Sequence, residues 1–229
     1  MQDHRPEEPQ SSSAVENVSV TTRLWLVPAE RPCCAEVVPT AQELTSWASL
    51  QGRRAAEVRW SRGWLRRCLA DHFRVPADDL PLLAPPGLAP SLAPGWGFVS
   101  LSHCIDALAI GWSDQPIGID LERLDRSLPA WPLAQRFFYV DDLEELQGLE
   151  THPLRRAVLR QWVAKEAAIK WNWGSLAEDL QAWSCPSTAA LAHHQGCGVR
   201  VPIQRYELGA WCLAVAGPKA RQTSAICLI

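Results

Sequence analysis

Lysine is rare in this chain, and two of its three lysines lie close together. The sequence has 22 basic residues, and all except Lys165, Lys170 and Lys219 are arginines. Residues 162–171 are rich in helix-forming types and are followed by Gly174, so they predict one helix. A lysine ammonium can hold a phosphate or pass a proton, whereas an arginine guanidinium stays charged. The segment is therefore a candidate for chemistry on a charged substrate.

Glu166 lies in the same segment and shares a helical face with Lys170, four residues further on. Lys165 lies beside them. One interpretation is an exposed ion pair that stabilises the helix by about 0.3–0.5 kcal/mol. The other is a working face, that is, a charged side of the helix that takes part in binding or catalysis. The concentration of a rare residue type in one helix favours the working face.

Two carboxylates alternate in a strand predicted at 117–121. Asp120 and Glu122 fall on one face of this strand, and apolar residues fall on the other. Carboxylates at adjacent positions of one face repel each other unless a cation lies between them. Together with Glu166 they would make three oxygen donors, the ligand type that Mg²⁺ prefers beside a substrate phosphate. The alternative is that Glu122 lies just beyond the strand end and is solvated.

Two further polar groups are candidates for ligand contacts. Ser102-His103 ends a strand predicted at 98–102, where a histidine is as often structural as functional. A helix predicted at 53–73 carries six arginines, namely Arg53, Arg54, Arg59, Arg62, Arg66 and Arg67. A solvated face is one explanation, and binding of phosphates or of an acidic protein is the other.

The rest of the pattern predicts an α+β fold. We expect strands at 23–27, 98–102, 107–112, 117–121, 199–206 and 210–216. We expect helices at 39–50 and 53–73, a helical region at 131–149, and a helix from about 154 to 173. Residues 113–116 predict a hairpin connection between two of the strands. Each half then holds strands and a long helix, which permits two similar α+β lobes.

Composition narrows the class of protein. The 229 residues are 47% hydrophobic with a net charge near −3, which does not suggest a nucleic-acid partner. No apolar run approaches the ~20 residues of a membrane span, and residues 1–20 are expected to be a disordered tail. The eight cysteines form no C-x-x-C pair, so we expect free thiols in a cytoplasmic protein. Alternatives are disulfides or a metal site at His193, His194 and Cys197.

Taken together, the motifs are similar to those of a known family. Ile117-Gly118-Ile119-Asp120-Leu121-Glu122, followed after about forty residues by Trp162-Val163-Ala164-Lys165-Glu166 and Lys170, resembles the 4′-phosphopantetheinyl transferases. The resemblance is to the larger monomeric type that activates surfactin synthetase and to the related cyanobacterial enzymes. Ser102-His103 stands at the family's Ser-His motif, and Arg136-Phe137-Phe138 resembles the segment between the two main motifs.

The resemblance implies a fold and a reaction. The fold would be a pseudo-dimer of two similar α+β lobes, at 21–112 and 113–229, with the active site in the cleft between them. The reaction would be Mg²⁺-dependent transfer of the 4′-phosphopantetheine arm from coenzyme A to a serine of an apo acyl or peptidyl carrier protein. The other product would be 3′,5′-ADP. A cytoplasmic monomer without nucleic-acid or membrane partners would fit this role.

The resemblance also implies residue roles. Asp120, Glu122 and Glu166 would bind Mg²⁺, and Glu166 or a metal-bound water would deprotonate the acceptor serine. Lys170 would stabilise or protonate the leaving 3′,5′-ADP. Contacts to coenzyme A would come from His103, Lys165 and Ser102, and from an arginine on the basic helix, with Arg62 preferred to Arg59.

The sequence departs from the family at two positions. The family's Gly-Lys-Pro loop is here Gly87-Leu88-Ala89-Pro90, without a lysine, and Ser100 replaces the usual asparagine. One phosphate contact is therefore missing or is made by an arginine. A protein that binds coenzyme A or a carrier protein without turnover is the alternative function.

Overall fold

The computed structural model describes residues 22–30, 40–85 and 87–229, except for the side chains of residues 224 and 225. The predicted tail at 1–20, and Cys33 and Cys34, lie outside the described residues. The strands are β1 Thr22–Pro28, β2 Leu82–Leu83, β3 Ser91–Leu92, β4 Phe98–His103, β5 Ala107–Ser113, β6 Gly118–Arg123, β7 Trp183–Ser184, β8 Leu191–His194, β9 Arg200–Leu208, β10 Trp211–Ala216 and β11 Thr223–Leu228. The helices are α1 Ala41–Ser46, α2 Gly52–Phe73, α3 Ala130–Phe137, α4 Val140–Glu144, α5 Thr151–Trp171 and α6 Leu176–Asp179.

Two main sheets organise these elements. The first has the strand order β11-β1-β5-β4, in which β11 and β1 run parallel and the other neighbours antiparallel. The second has the order β6-β10-β9-β8-β7 and is antiparallel throughout. The predicted mixed α+β class is therefore confirmed.

Each long helix covers the outer face of one sheet. Leu65 and Leu69 of α2 belong to a buried cluster with Ile110 of β5, and Val163 of α5 belongs to another with Ala214 of β10. A third cluster lies between the inner faces of the two sheets; it includes Leu24, Leu26, Ala109, Ile119, Leu213 and Val215. Burial of these apolar faces stabilises four layers, in the order helix, sheet, sheet, helix.

The predicted hairpin between β5 and β6 is wrong. Both edges of β5 are already hydrogen-bonded, to β1 and to β4, so no edge is left for β6. Residues 113–116 instead carry the chain from the first sheet to the second, where β6 pairs with β10. The 131–149 region also differs from a single helix, because it forms α3 and α4.

The last strand returns to the first sheet. Residues of β11 pair in parallel with β1, for example Leu24 with Ile226. The predicted lobes at 21–112 and 113–229 do not account for this pairing, because β11 belongs to the second lobe by sequence and to the first sheet by hydrogen bonding. No helix in the described ranges is both long and apolar enough to span a membrane.

The described cysteines fit the prediction of free thiols. Within the described ranges, no disulfide joins any two of the cysteines Cys68, Cys104, Cys185, Cys197, Cys212 and Cys227. At the proposed alternative metal position, His194 Nδ1 accepts hydrogen bonds from the backbone N–H groups of Gly196 and Cys197. This histidine therefore stabilises the turn after β8.

Candidate active site

A glycine lets strand β6 approach helix α5 closely. A Cβ atom placed at Gly118 would lie 2.1 Å from the carbonyl oxygen of Ala167 and 2.4 Å from the backbone nitrogen of Trp171. Any side chain at this position would push the strand away from the helix. The glycine thus brings the β6 carboxylates next to Glu166 and Lys170 on α5.

Asp120 is the buried centre of this junction, with 3% of its surface exposed. Its Oδ1 atom accepts a hydrogen bond of 2.6 Å from Ser102 Oγ and one of 2.7 Å from Lys170 Nζ. Lys170 also donates to the carbonyl of Ile119 at 3.1 Å, and its Nζ lies 4.0 Å from Glu166 Oε2. The predicted residues Asp120, Glu166 and Lys170 are therefore brought together.

Two serines of β4 join the edges of the two sheets. The Oγ atom of Ser100 accepts from the backbone N–H of Ile119, and that of Ser102 accepts from the N–H of Leu121. Ser102 was expected to contact coenzyme A. Its hydroxyl is buried against Asp120 and positions that carboxylate.

Each acidic group at the junction makes ionisation of its neighbours less favourable. Burial, followed by the negative charge of Asp120, raises the pKa of Glu166 to about 8. Burial is also the main reason that the pKa of Glu122 is raised; the charge of Arg126 opposes this shift and that of Asp120 adds to it. Carboxylates crowded in this way are stabilised by a nearby cation.

The donor set fits a hard cation such as Mg²⁺ in its chemistry, since it offers carboxylate oxygens whose charges repel one another. The side chains are not gathered around one point, however. Glu122 is ion-paired with Arg126, and the Lys170 ammonium lies against Asp120. Within the described ranges, no three His, Cys, Asp or Glu side chains are close enough together to hold a metal ion.

Lys165 does not belong to this site. Its side chain is fully buried, and its Nζ lies 2.5 Å from Asp142 Oδ2, a carboxylate that is equally buried. The ammonium also donates to the carbonyls of Trp183 and Leu180 and lies 4.9 Å from the ring centre of Phe138. The expected contact between Lys165 and coenzyme A is therefore corrected: this lysine neutralises an acid in the core.

A pocket of about 1280 Å³ opens beside the junction. Its lining includes the predicted residues His103, Arg62, Glu122 and Lys170. It also includes Arg53, Arg54, Arg123, Arg126, Trp60, Leu88, Ile105 and Trp173. Sequence reasoning missed Arg123 and Arg126 as site residues, although they closely follow the Asp-x-Glu motif. The pocket joins α2, β4, β6 and the end of α5.

The arginines of α2 separate into different roles. Arg62 lines the pocket and donates from Nη2 to the carbonyl of Leu88 at 3.2 Å, so it holds the loop that lacks the expected lysine. Arg59 is exposed on α2 and does not line the pocket. Arg66 is buried in an ion pair of 2.5 Å with Glu43 and has a structural role.

The fold and the site define an α+β protein with a basic pocket beside a cluster of carboxylates and a lysine. Residues 116–216, or 101 of 229, match the family model of the 4′-phosphopantetheinyl transferase superfamily. Residues 116–216 are therefore similar to this superfamily, which confirms the resemblance at the superfamily level and supports a transferase. No curated protein matches the chain. The matched segment contains Asp120 and Glu166, whereas His103 and α2 lie outside it.

Proposed function

We propose that the protein transfers the 4′-phosphopantetheine arm of coenzyme A to a serine hydroxyl of an apo carrier protein, in a Mg²⁺-dependent reaction. The observation that carries this proposal is the position of Lys170, which contacts Asp120 and lies near Glu166 at the wall of the basic pocket. Phosphoryl transfer depends mainly on positioning and on neutralising charge, and this cluster supplies both.

The acceptor serine would lose its proton to Glu166 and attack the β-phosphorus of coenzyme A. A bond forms from the serine Oγ to phosphorus, and the bond from phosphorus to the oxygen bridging the α-phosphate breaks. 3′,5′-ADP leaves with that oxygen. Burial raises the pKa of Glu166 in the metal-free protein, and a bound cation would lower it again, so that the carboxylate is ionised and can accept the proton. Lys170 would neutralise or protonate the leaving oxygen.

Mg²⁺ would be held by Asp120, Glu122 and Glu166 and would supply neutralisation of the pyrophosphate charge. For Glu122 to serve this purpose, its ion pair with Arg126 must open. Ser102 keeps Asp120 directed toward α5 through the 2.6 Å hydrogen bond. Arg126 lines the pocket, so it is placed to receive a ligand phosphate when released from Glu122.

The remaining phosphates of coenzyme A would lie on the basic wall formed by α2. Arg62 and His103 line the pocket and are the proposed contacts, and Arg62 is preferred to Arg59 for the 3′-phosphate because Arg59 does not line it. The pocket volume of about 1280 Å³ lies above the usual range for small ligands, which suits a ligand as large as coenzyme A. We also propose that the protein acts as a monomer in the cytoplasm, and that its single chain forms two similar lobes related as a pseudo-dimer.

The test is intact-protein mass spectrometry of a purified apo acyl carrier protein incubated with this protein, coenzyme A and Mg²⁺. A mass gain of one phosphopantetheine arm is expected, and Glu166→Gln should abolish it. Lys170→Ala should lower the rate of transfer. Its matched control is Lys219→Ala, because Lys219 is ion-paired with Asp114 and does not line the pocket. Coenzyme A binding without any mass gain, across acyl and peptidyl carriers, would favour the non-catalytic binding protein instead.

A further inference from the structure

Two residues beyond the last residue of helix α5, Trp173 has a left-handed backbone with φ of +57°. Its N–H donates to the carbonyl of Lys170 at 3.3 Å, and the N–H of Gly174 donates to the carbonyl of Ile169 at 2.9 Å. These two bonds make a Schellman motif, in which glycine usually occupies the position of Trp173. A bulky side chain is unfavourable there, so the rules of helix ending do not explain this tryptophan.

The neighbouring glycine has a different purpose. A Cβ atom at Gly174 would lie 2.2 Å from Asp179 Oδ2, which accepts a 2.9 Å hydrogen bond from the N–H of Ser175. A side chain at 174 would therefore displace the Asp179 carboxylate from this hydrogen bond. The strained position at 173 keeps its large side chain, and strain of this kind is a reason to look for function.

The Trp173 side chain is exposed at the pocket, three residues beyond Lys170. It has 64% of its surface exposed, and two other exposed apolar residues line the same pocket, Ile105 at 81% and Leu88 at 65%. We call these three residues the rim. They come from three separate parts of the chain: the end of α5, the turn between β4 and β5, and the 87–90 loop. Exposed apolar residues grouped around one feature are typical of a protein interaction site.

Positive charge surrounds the rim. The pocket lining contains six Lys or Arg side chains and two Glu side chains. Arg54 is exposed, and its charge adds to burial in lowering the pKa of Arg62. Four of the six cations, Arg53, Arg123, Arg126 and Lys170, are themselves ion-paired with carboxylates. Arg54 and Arg62 are in no ion pair among the described residues, so they leave positive charge at the pocket mouth for an acidic partner.

We propose that the rim is the docking surface for the folded carrier protein, and that this partner presents an apolar surface flanked by acidic side chains. The inference rests on the proposed function, because only a protein acceptor must cover the pocket mouth to bring a serine to Glu166. Coenzyme A enters the pocket itself. Tryptophan in such a position is the side chain most often responsible for a large share of binding energy.

The experiment measures binding and turnover in parallel, with an apo acyl carrier protein and an apo peptidyl carrier domain as probes. The rim variants are Trp173→Gly and Ile105→Ser. Leu191→Ser is the matched control, because Leu191 is 45% exposed and lies away from the pocket. Calorimetry without coenzyme A gives the Kd of each carrier, and steady-state kinetics give separate KM values for carrier and coenzyme A.

Both rim variants should raise the carrier Kd and KM by roughly 10- to 30-fold and leave the KM of coenzyme A unchanged. Trp173→Gly should at the same time raise Tm by about 2–4 °C, because glycine relieves the left-handed strain. A tryptophan with a structural role would instead lower Tm when replaced.

An unchanged carrier Kd in both rim variants, or an increase in the KM of coenzyme A alone, would overturn the docking surface. Failure of the unmodified protein to bind either carrier would overturn it as well. If the unmodified protein binds carriers through the rim but transfers nothing, the proposed transferase function fails while the docking surface stands.

Discussion

Replacing Lys165 by methionine tests whether this lysine belongs to the core or to the ligand site. Methionine keeps most of the apolar stem and removes the ammonium that lies 2.5 Å from Asp142 Oδ2. Both partners are fully buried, so the variant leaves a carboxylate without its counter-charge in the core. We expect a loss of about 3–5 kcal/mol in the free energy of unfolding, or roughly 6–20 °C in Tm for a chain of this size.

Two further variants separate loss of charge pairing from other effects. Lys165→Met combined with Asp142→Asn removes both charges and keeps an acceptor oxygen for the N–H of Cys185. In the unmodified protein this N–H donates to Asp142 Oδ1 at 2.8 Å. The double variant should recover most of the lost stability, leaving a deficit of about 1–2 kcal/mol. Lys219→Met removes a partly exposed ion pair with Asp114 and should cost at most about 1 kcal/mol.

The assay is urea unfolding followed by tryptophan fluorescence, together with calorimetric titration of coenzyme A at a temperature where each variant is folded. The folded Lys165→Met protein should bind coenzyme A as the unmodified protein does. Unchanged stability together with much weaker coenzyme A binding would show that Lys165 reaches the ligand, and would refute its assignment to the core.

Three other predictions concern the active site. Lys170→Ala should lower kcat more than it weakens coenzyme A binding, and a weakened Kd with unchanged kcat would make it a binding residue only. In metal-free buffer, the unmodified protein should lose stability relative to Glu166→Gln as pH rises from about 5 to 8. The reason is that the Glu166 carboxyl deprotonates near 4.5 in the unfolded chain and near 8 in the folded protein. If the Tm of the two proteins changes in parallel across this pH range, the crowding of carboxylates is contradicted. Ser102→Ala should weaken Mg²⁺ binding measured by calorimetry, since Asp120 loses its 2.6 Å hydrogen bond, while Ser102→Thr should preserve it; equal Mg²⁺ affinity in both variants would remove Ser102 from positioning.

Local patterns in the sequence predicted the main elements well. Alternation over 117–121 predicted β6 and placed Asp120 on one face, and the composition of 162–171 predicted the part of α5 that carries Glu166 and Lys170. Such patterns work because residues two apart in a strand, or four apart in a helix, lie on one face whatever surrounds them. The matched superfamily segment contains both motifs.

Contacts between distant segments were not predictable in this way. The pairing of β11 with β1 joins residues about 200 positions apart, and the failed hairpin depended on β5 having no free edge. Lys165 and Lys170 point about 140° apart around the helix, but only packing against the second sheet determines which one is buried. The sequence by itself determined which side chains are available for phosphoryl-transfer chemistry. The tertiary structure decided which of them meet, because burial and charge pairing depend on neighbours that the local chain does not specify.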